Sequence, residues 1–238
     1  MKNQSELRAL LRSIDHRGYP AYKGLRGSYD FGDYLLHIDH VQGDPFAAPS
    51  AVSVSVSAAR AAFPPAYLSP AHRKTALEDF LVRLFGKETE KYSKKARGSG
   101  KSGLISVSRP GQEVIPRSAC SIDSAGNVTF RMEIGFPANG RTINAGEMDK
   151  IMFDFLPSCV RNALFNRSVD RKALKAAVDL ADDQDYIRKE LDKRGLCAFV
   201  ADKAVLPRAS GVSNLPMKGA VPFSSPESMR AEMDLPHA

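Results

Sequence analysis

Apolar positions along this chain follow two rhythms, one of period 3.6 and one of strict alternation, and together they predict a mixed fold. Leu7, Leu10, Leu11 and Ile14 recur as one helical face, and Gly18 with Pro20 predicts the end of that helix. A polar, aromatic, glycine-rich loop follows through Tyr22, Gly24, Gly27, Tyr29 and Phe31. Tyr34 to Val41 reads as a strand, and so does Ala51 to Ser57, where Val52, Val54 and Val56 alternate with serines. The intervening residues 42–50 are dense in turn formers. Ser69-Pro70 predicts a helix start, serine as N-cap and proline at the first helical position. That helix carries Leu77, Phe80, Leu81, Leu84 and Phe85 on one face and becomes basic and exposed towards Arg97. Three strands are expected near Leu104–Ser108, Val114–Ile122 and Val128–Ile134, the last two joined by a turn around Gly126.

From Ala145 the period becomes helical. Met148, Ile151, Met152 and Phe155 form one stripe, and Pro157 opens a second helix with Val160 and Leu164. Asp170 caps a third, which the acidic run Asp182-Asp183-Gln184-Asp185 should break and recap before Gly195 stops it. Leu196 to Val200 returns to strand character. The class is therefore α+β: a mostly antiparallel sheet with amphipathic helices, the C-terminal half more helical. Residues 1–206 read as one domain and 207–238, broken by prolines 207, 216, 222, 226 and 236, as an extended arm.

Composition narrows the class of protein. A hydrophobic fraction of 43% and a charged fraction of 26% over 238 residues are those of an ordinary globular chain. No apolar run reaches the roughly 20 residues of a membrane span, and the N-terminus lacks a secretory signal, so a cytoplasmic chain with no membrane association is expected. Cys120, Cys159 and Cys197 are odd in number and form no Cys-x-x-Cys pair, which argues against disulfides and zinc. The net charge of +7 is focused. Residues 87–109 hold seven basic side chains (Lys87, Lys91, Lys94, Lys95, Arg97, Lys101 and Arg109) against Glu88 and Glu90, a net of +5. Such focusing favours an anionic partner.

In the middle of that charge lies Gly98-Ser99-Gly100-Lys101-Ser102-Gly103. It looks like a P-loop, but Lys95 stands where the first glycine is needed, and the predicted order is helix, loop, strand rather than strand, loop, helix. This chain alone is not expected to hydrolyse ATP. A glycine-rich turn can still cradle phosphate through successive N–H groups, with Lys101 and Ser102 adding charge and a hydroxyl. Candidate phosphate contacts are thus Lys91, Lys94, Lys95, Arg97, Gly98, Ser99, Gly100, Lys101, Ser102, Gly103 and Arg109. Tyr22 and Tyr29, interleaved with Lys23 and Arg26, are candidate base-stacking rings, core packing being the equal alternative. On the strand 34–41, His37 and Asp39 share a face and are a candidate acid–base pair; His40 shares the apolar face and should be partly buried. No metal site and no cofactor are expected.

Several segments resemble the N-terminal region of the predicted ATPases of the ABC class. They are Gly27–Phe31, Asp39–Ala47, Gly98–Gly103, Arg109–Val114, Ala198–Asp202, Leu206–Arg208 and Pro222–Ser228, in order along nearly the whole chain. Members of that family continue past the position of Pro236 into a nucleotide loop of their own. The resemblance thus implies an N-terminal fragment or split gene product whose downstream core would bind ATP and Mg. One member is a kinetoplastid mitochondrial RNA-editing factor, which implies RNA binding and a dimer around a basic pore. The leading reading is a phosphate-backbone-binding accessory domain for RNA in front of an ABC-type core. The alternatives are a nucleotide-binding or nucleotide-processing domain using Lys101 and Ser102, and a structural or homodimerising domain.

Overall fold

The computed structural model describes residues 1–92 and 96–237. Lys2–Asn3 (β1) leads into helix α1, Gln4–Ser13, closed by a capping box in which Asn3 and Glu6 exchange side-chain-to-backbone bonds. A 3₁₀ turn, Tyr19–Leu25, and strand β2, Gly27–Asp30, occupy the segment expected to be loop. Strands β3, Leu35–His40, and β4, Ser50–Val56, fall where alternation predicts them. A short helix α2, Ala58–Ala61, precedes helix α3, Ala71–Glu90. Pro70 itself occupies the cap of α3 and no side chain bonds to it, so the expected serine cap is not formed. Strands β5, Ile105–Ser106, β6, Cys120–Ile122, and β7, Val128–Ile134, are shorter than expected except the last. A small hairpin, β8, Ala138–Asn139, and β9, Thr142–Ile143, follows.

The helical half differs from expectation in two places. Helices α4, Ala145–Lys150, and α5, Leu156–Ala163, are not separate: a π-helical turn, Ile151–Phe155, joins them. The Leu156 N–H reaches back to the Ile151 carbonyl, and this wider turn carries the run past Pro157, which has no N–H to give. Helix α6, Arg171–Arg194, runs 24 residues without the expected break. Asp182 and Asp183 are buried and face neighbours instead of recapping the helix. Asp170 caps it through Lys172 and Ala173, and Gly195 ends it in the left-handed region. Residues 196–200 form no strand; Leu196, Phe199 and Val200 are exposed.

The main sheet has the order β1-β2-β3-β4-β7-β5, with β6 also on β7, and only the β1–β2 pair is parallel. Strands β5 and β6 share one edge of β7, β5 opposite Ile134 and β6 opposite Phe130. Leu36, Ile38, Val52, Val54, Phe130 and Ile134 bury one face. Phe85 of α3 stacks on Phe130 with ring centroids 4.2 Å apart, fixing where α3 crosses the sheet. This is the expected α+β class. Of the 207–237 arm, only Glu227–Met229 is regular, a single 3₁₀ turn.

Candidate phosphate-binding cleft

Helix α3 ends beside the glycine-rich segment. The helix delivers Thr89 and Glu90 to a cleft of about 330 Å³, whose other walls are Gly100–Ile105 and Arg109. Lys101 and Arg109 are both exposed and, among the described residues, neither forms an ion pair. Glu90 is the acidic residue of the lining. Lys101 and Arg109 thus line one space, together with Thr89 and Ser102.

The glycine-rich segment shapes this cleft by docking onto the fold. The Ser99 N–H donates to the Ala138 carbonyl at 2.7 Å, Lys101 to Pro45 at 2.9 Å, Ser102 to Ser99 at 3.2 Å and Gly103 to Gly135 at 2.9 Å. Both hydroxyls are committed too. Ser99 Oγ accepts from the Gly140 N–H, and Ser102 Oγ donates to the Ser99 carbonyl while accepting from Ala138 N–H. Of the phosphate-cradling nest expected over Gly98, Ser99, Gly100, Ser102 and Gly103, the N–H groups of Ser99, Ser102 and Gly103 are thus spent on the protein's own carbonyls. Nor is the segment a P-loop, since a helix end precedes it and the strand β5 follows. Lys101 alone projects from it.

The close fit explains the glycines. A Cβ on Gly135 would overlap the Lys101 carbonyl, and one on Gly100, at φ 62°, would overlap that of Pro45. Two loops distant in sequence, 98–104 and 42–50, are therefore packed backbone to backbone.

Other expected site residues are distributed elsewhere. Lys91 is paired with Glu88 at 2.5 Å, and the buried Glu88 also accepts from Asn162 Nδ2 at 2.9 Å. Lys91 thus spends its charge on Glu88 and does not line the cleft. Burial alone would raise Glu88, but the Lys91 and Asn162 hydrogen bonds outweigh it and hold the carboxyl below its usual range. Arg97 is exposed, and its backbone N–H donates to Glu147 Oε2 at 3.1 Å. Lys94 and Lys95 lie outside the described residues.

Neither tyrosine can stack on a base. Tyr22 and Tyr29 are fully buried, donating to the Pro137 and Leu25 carbonyls at 2.8 and 2.7 Å. Burial raises both phenols above their ordinary range. Their rings are core, the alternative reading of the same residues. His37 and Asp39 lie on the open face of the sheet but do not bond to each other. His37 is held between Ser28 Oγ (2.8 Å) and Ser55 Oγ (3.0 Å), while Asp39 accepts from Ser53 Oγ at 2.7 Å. Each side chain is thus committed to serines of the neighbouring strands. The acid–base pair is therefore not formed. His40 is exposed, because the register shifts between Ile38 and His40.

Sequence reasoning missed Phe46. It lies in the 42–50 loop, 61% exposed, against Gly100. The available signal was an aromatic residue among turn formers with no strand or helix to bury it. Among the described residues, no group of three or more His, Cys, Asp or Glu is placed to hold a metal ion, and no helix is long and apolar enough to cross a membrane. Cys120 and Cys159 are buried, and burial pushes the Cys159 thiol up to about 12.

The glycine-rich segment is thus a docked loop beside the sheet of an α+β fold. The family model for the N-terminal region of ATPases of the ABC class matches residues 4–167, and the chain belongs to that family. A second model, the P-loop domain of the same ATPases, matches residues 170–238, beginning just ahead of α6. Gly98–Gly103 lies outside that second match. No curated protein matches the chain.

Proposed function

We propose that this chain is a polyanion-binding accessory domain of an ABC-class ATPase, and that its ligand is the phosphate backbone of single-stranded RNA. The observation that carries the reading is the cleft at the end of α3, where Lys101 and Arg109 face a common space without an ion-pair partner among the described residues. Exposed cations on a rigid seat release counterions when phosphates replace solvent, which is the main source of sequence-independent affinity. Arg97, close in sequence and also exposed, extends the same surface. ATP and Mg belong, in this reading, to the P-loop domain that begins at α6. The expected homodimer and a cytoplasmic location stay part of the proposal.

Titration of a labelled, unstructured RNA against wild type and a Lys101→Ala/Arg109→Ala double variant tests it. The double variant should lose roughly tenfold or more in affinity at low salt, with no preference among sequences. Unchanged affinity would refute the assignment of the cleft. Saturable binding of ATP that excludes RNA would favour the nucleotide-binding alternative.

A further inference from the structure

We propose that Phe46 is a base-stacking ring, on which an unpaired nucleobase lies while its phosphate sits at Lys101. This rests on the reading of the cleft as a phosphate site and adds the part of the ligand that phosphate contacts cannot hold.

A single exposed apolar side chain is ordinary on a protein surface. Phe46 is distinguished by how it is held. Its N–H donates to Asp44 Oδ1 at 3.0 Å, and the Ala47 N–H to the Asp44 carbonyl at 3.0 Å, closing a tight turn of the backbone that carries the ring. Asp44 Oδ2 accepts from Arg141 Nε at 2.7 Å. Hydrogen bonds from Phe46 and Arg141 hold this carboxyl below its usual range, so the turn is already charge-balanced before any phosphate arrives. The preceding Pro45 carbonyl takes the Lys101 N–H, and Gln42 ties the base of the loop to the core through bonds from Ser50 and Phe136 N–H to its buried side-chain oxygen.

The ring therefore rests on a preset loop, and little further order is lost when a ligand meets it. Its edge is backed by Gly100, where a Cβ would come within 3.0 Å of Phe46 Cδ1. The next residue in the chain is Lys101. Phe46 itself does not line the cleft, but its ring meets the cleft's wall at Gly100, one residue before Lys101, and an exposed ring at that distance can take any base because each has a π face. The buried Tyr22 and Tyr29 leave this role open. The chemistry recognised is a nucleobase carrying phosphate, which a strand or a free nucleotide could supply.

The chain contains no tryptophan, so Phe46→Trp introduces its single indole at the site in question. An oligouridylate should quench that indole, whereas inorganic polyphosphate should bind the cleft without quenching. Phe46→Leu should weaken oligouridylate binding about tenfold, within the range for loss of one stacked base, and leave polyphosphate affinity unchanged. Phe46→Tyr, which keeps the ring, should bind as wild type does. Tight RNA binding with an unquenched indole and a neutral Phe46→Leu would overturn the stacking while leaving the phosphate reading intact. Failure of both RNA and polyphosphate to bind would remove both readings. Quenching by ATP as strong as by the oligomer would uphold the stacking and overturn the strand as its source.

Discussion

The Lys101 N–H donates to the Pro45 carbonyl at 2.9 Å, and that bond joins two loops that the sequence separates by more than fifty residues. It turns a glycine-rich segment that looks like a nucleotide loop into a seat. The donor a phosphate would need is spent on Pro45, while the Lys101 side chain is left pointing outward beside Arg109.

Filling the seat should displace it. Gly135→Ala places a methyl group on the Lys101 carbonyl, and backbone cannot retreat as a flexible side chain can. Overpacking of this kind typically costs about 1–3 kcal/mol. Gly100→Ala meets the Pro45 carbonyl from a left-handed backbone and should cost a similar amount. Chemical denaturation should register both losses; a neutral Gly100→Ala would mean that the two loops do not pack as described.

Lys101→Ala should leave any ATP turnover of this chain unchanged, at the background rate. The lysine stands on a segment between a helix end and a strand, with no helix N-terminus aimed at it. A magnesium-dependent turnover that vanishes in Lys101→Ala would contradict this.

Much of the fold was legible because the periodicities were long and clean. Strand β7 alternates throughout, β3 does so up to Ile38 and β4 alternates valine with serine, and the apolar faces of α1 and α3 follow one stripe each. What escaped depended on tertiary partners. Asp182 and Asp183 read as a helix break until His72, Arg73 and His237 supply bonds that let them be buried. Tyr22 and Tyr29 carry the same sequence signal whether a ring packs inside or waits for a base, and only the Pro137 and Leu25 carbonyls decide it. At the site, Lys101 and Arg109 were visible as charge, but the pairing of Lys91 with Glu88 and the exposure of Phe46 follow from contacts that no local pattern encodes.

Asp182 gives a pH dependence with a definite sign. Burial by itself would raise its pKa, but hydrogen bonds from Arg73, His72 and His237 outweigh that and hold it at about 2, against 3.8 for the free side chain. A lowered carboxyl pKa stabilises the fold above the unfolded value, and that stabilisation is lost as pH falls from 3.8 towards about 2. Asp182→Asn should be less stable than wild type by roughly 1–3 kcal/mol at neutral pH, the range for losing hydrogen bonds to a charged group. The difference should shrink across that acid window. A difference that stays constant with pH would show that the carboxylate's charge is not what holds α3 and the arm to α6.

The arm itself should exchange its amides quickly over most of residues 207–237. Val212 is fully exposed, and Leu215 and Val221 are 70% and 88% exposed, so few apolar contacts protect it. Slower exchange is expected only where a bond is made, as at His237, whose N–H donates to Asp183 Oδ1 at 3.0 Å. Uniform protection along the segment would contradict the description of an exposed arm.

The central claim is that Lys101 and Arg109 meet RNA phosphates. Its most direct measurement is the salt dependence of RNA affinity, compared between wild type and the Lys101→Ala/Arg109→Ala variant. Each phosphate neutralised on a single strand contributes about 0.7 to the slope of log affinity against log salt, so losing two contacts should flatten it by about 1.4. A variant that folds normally and keeps the wild-type slope would show that the cleft's two cations do not meet RNA.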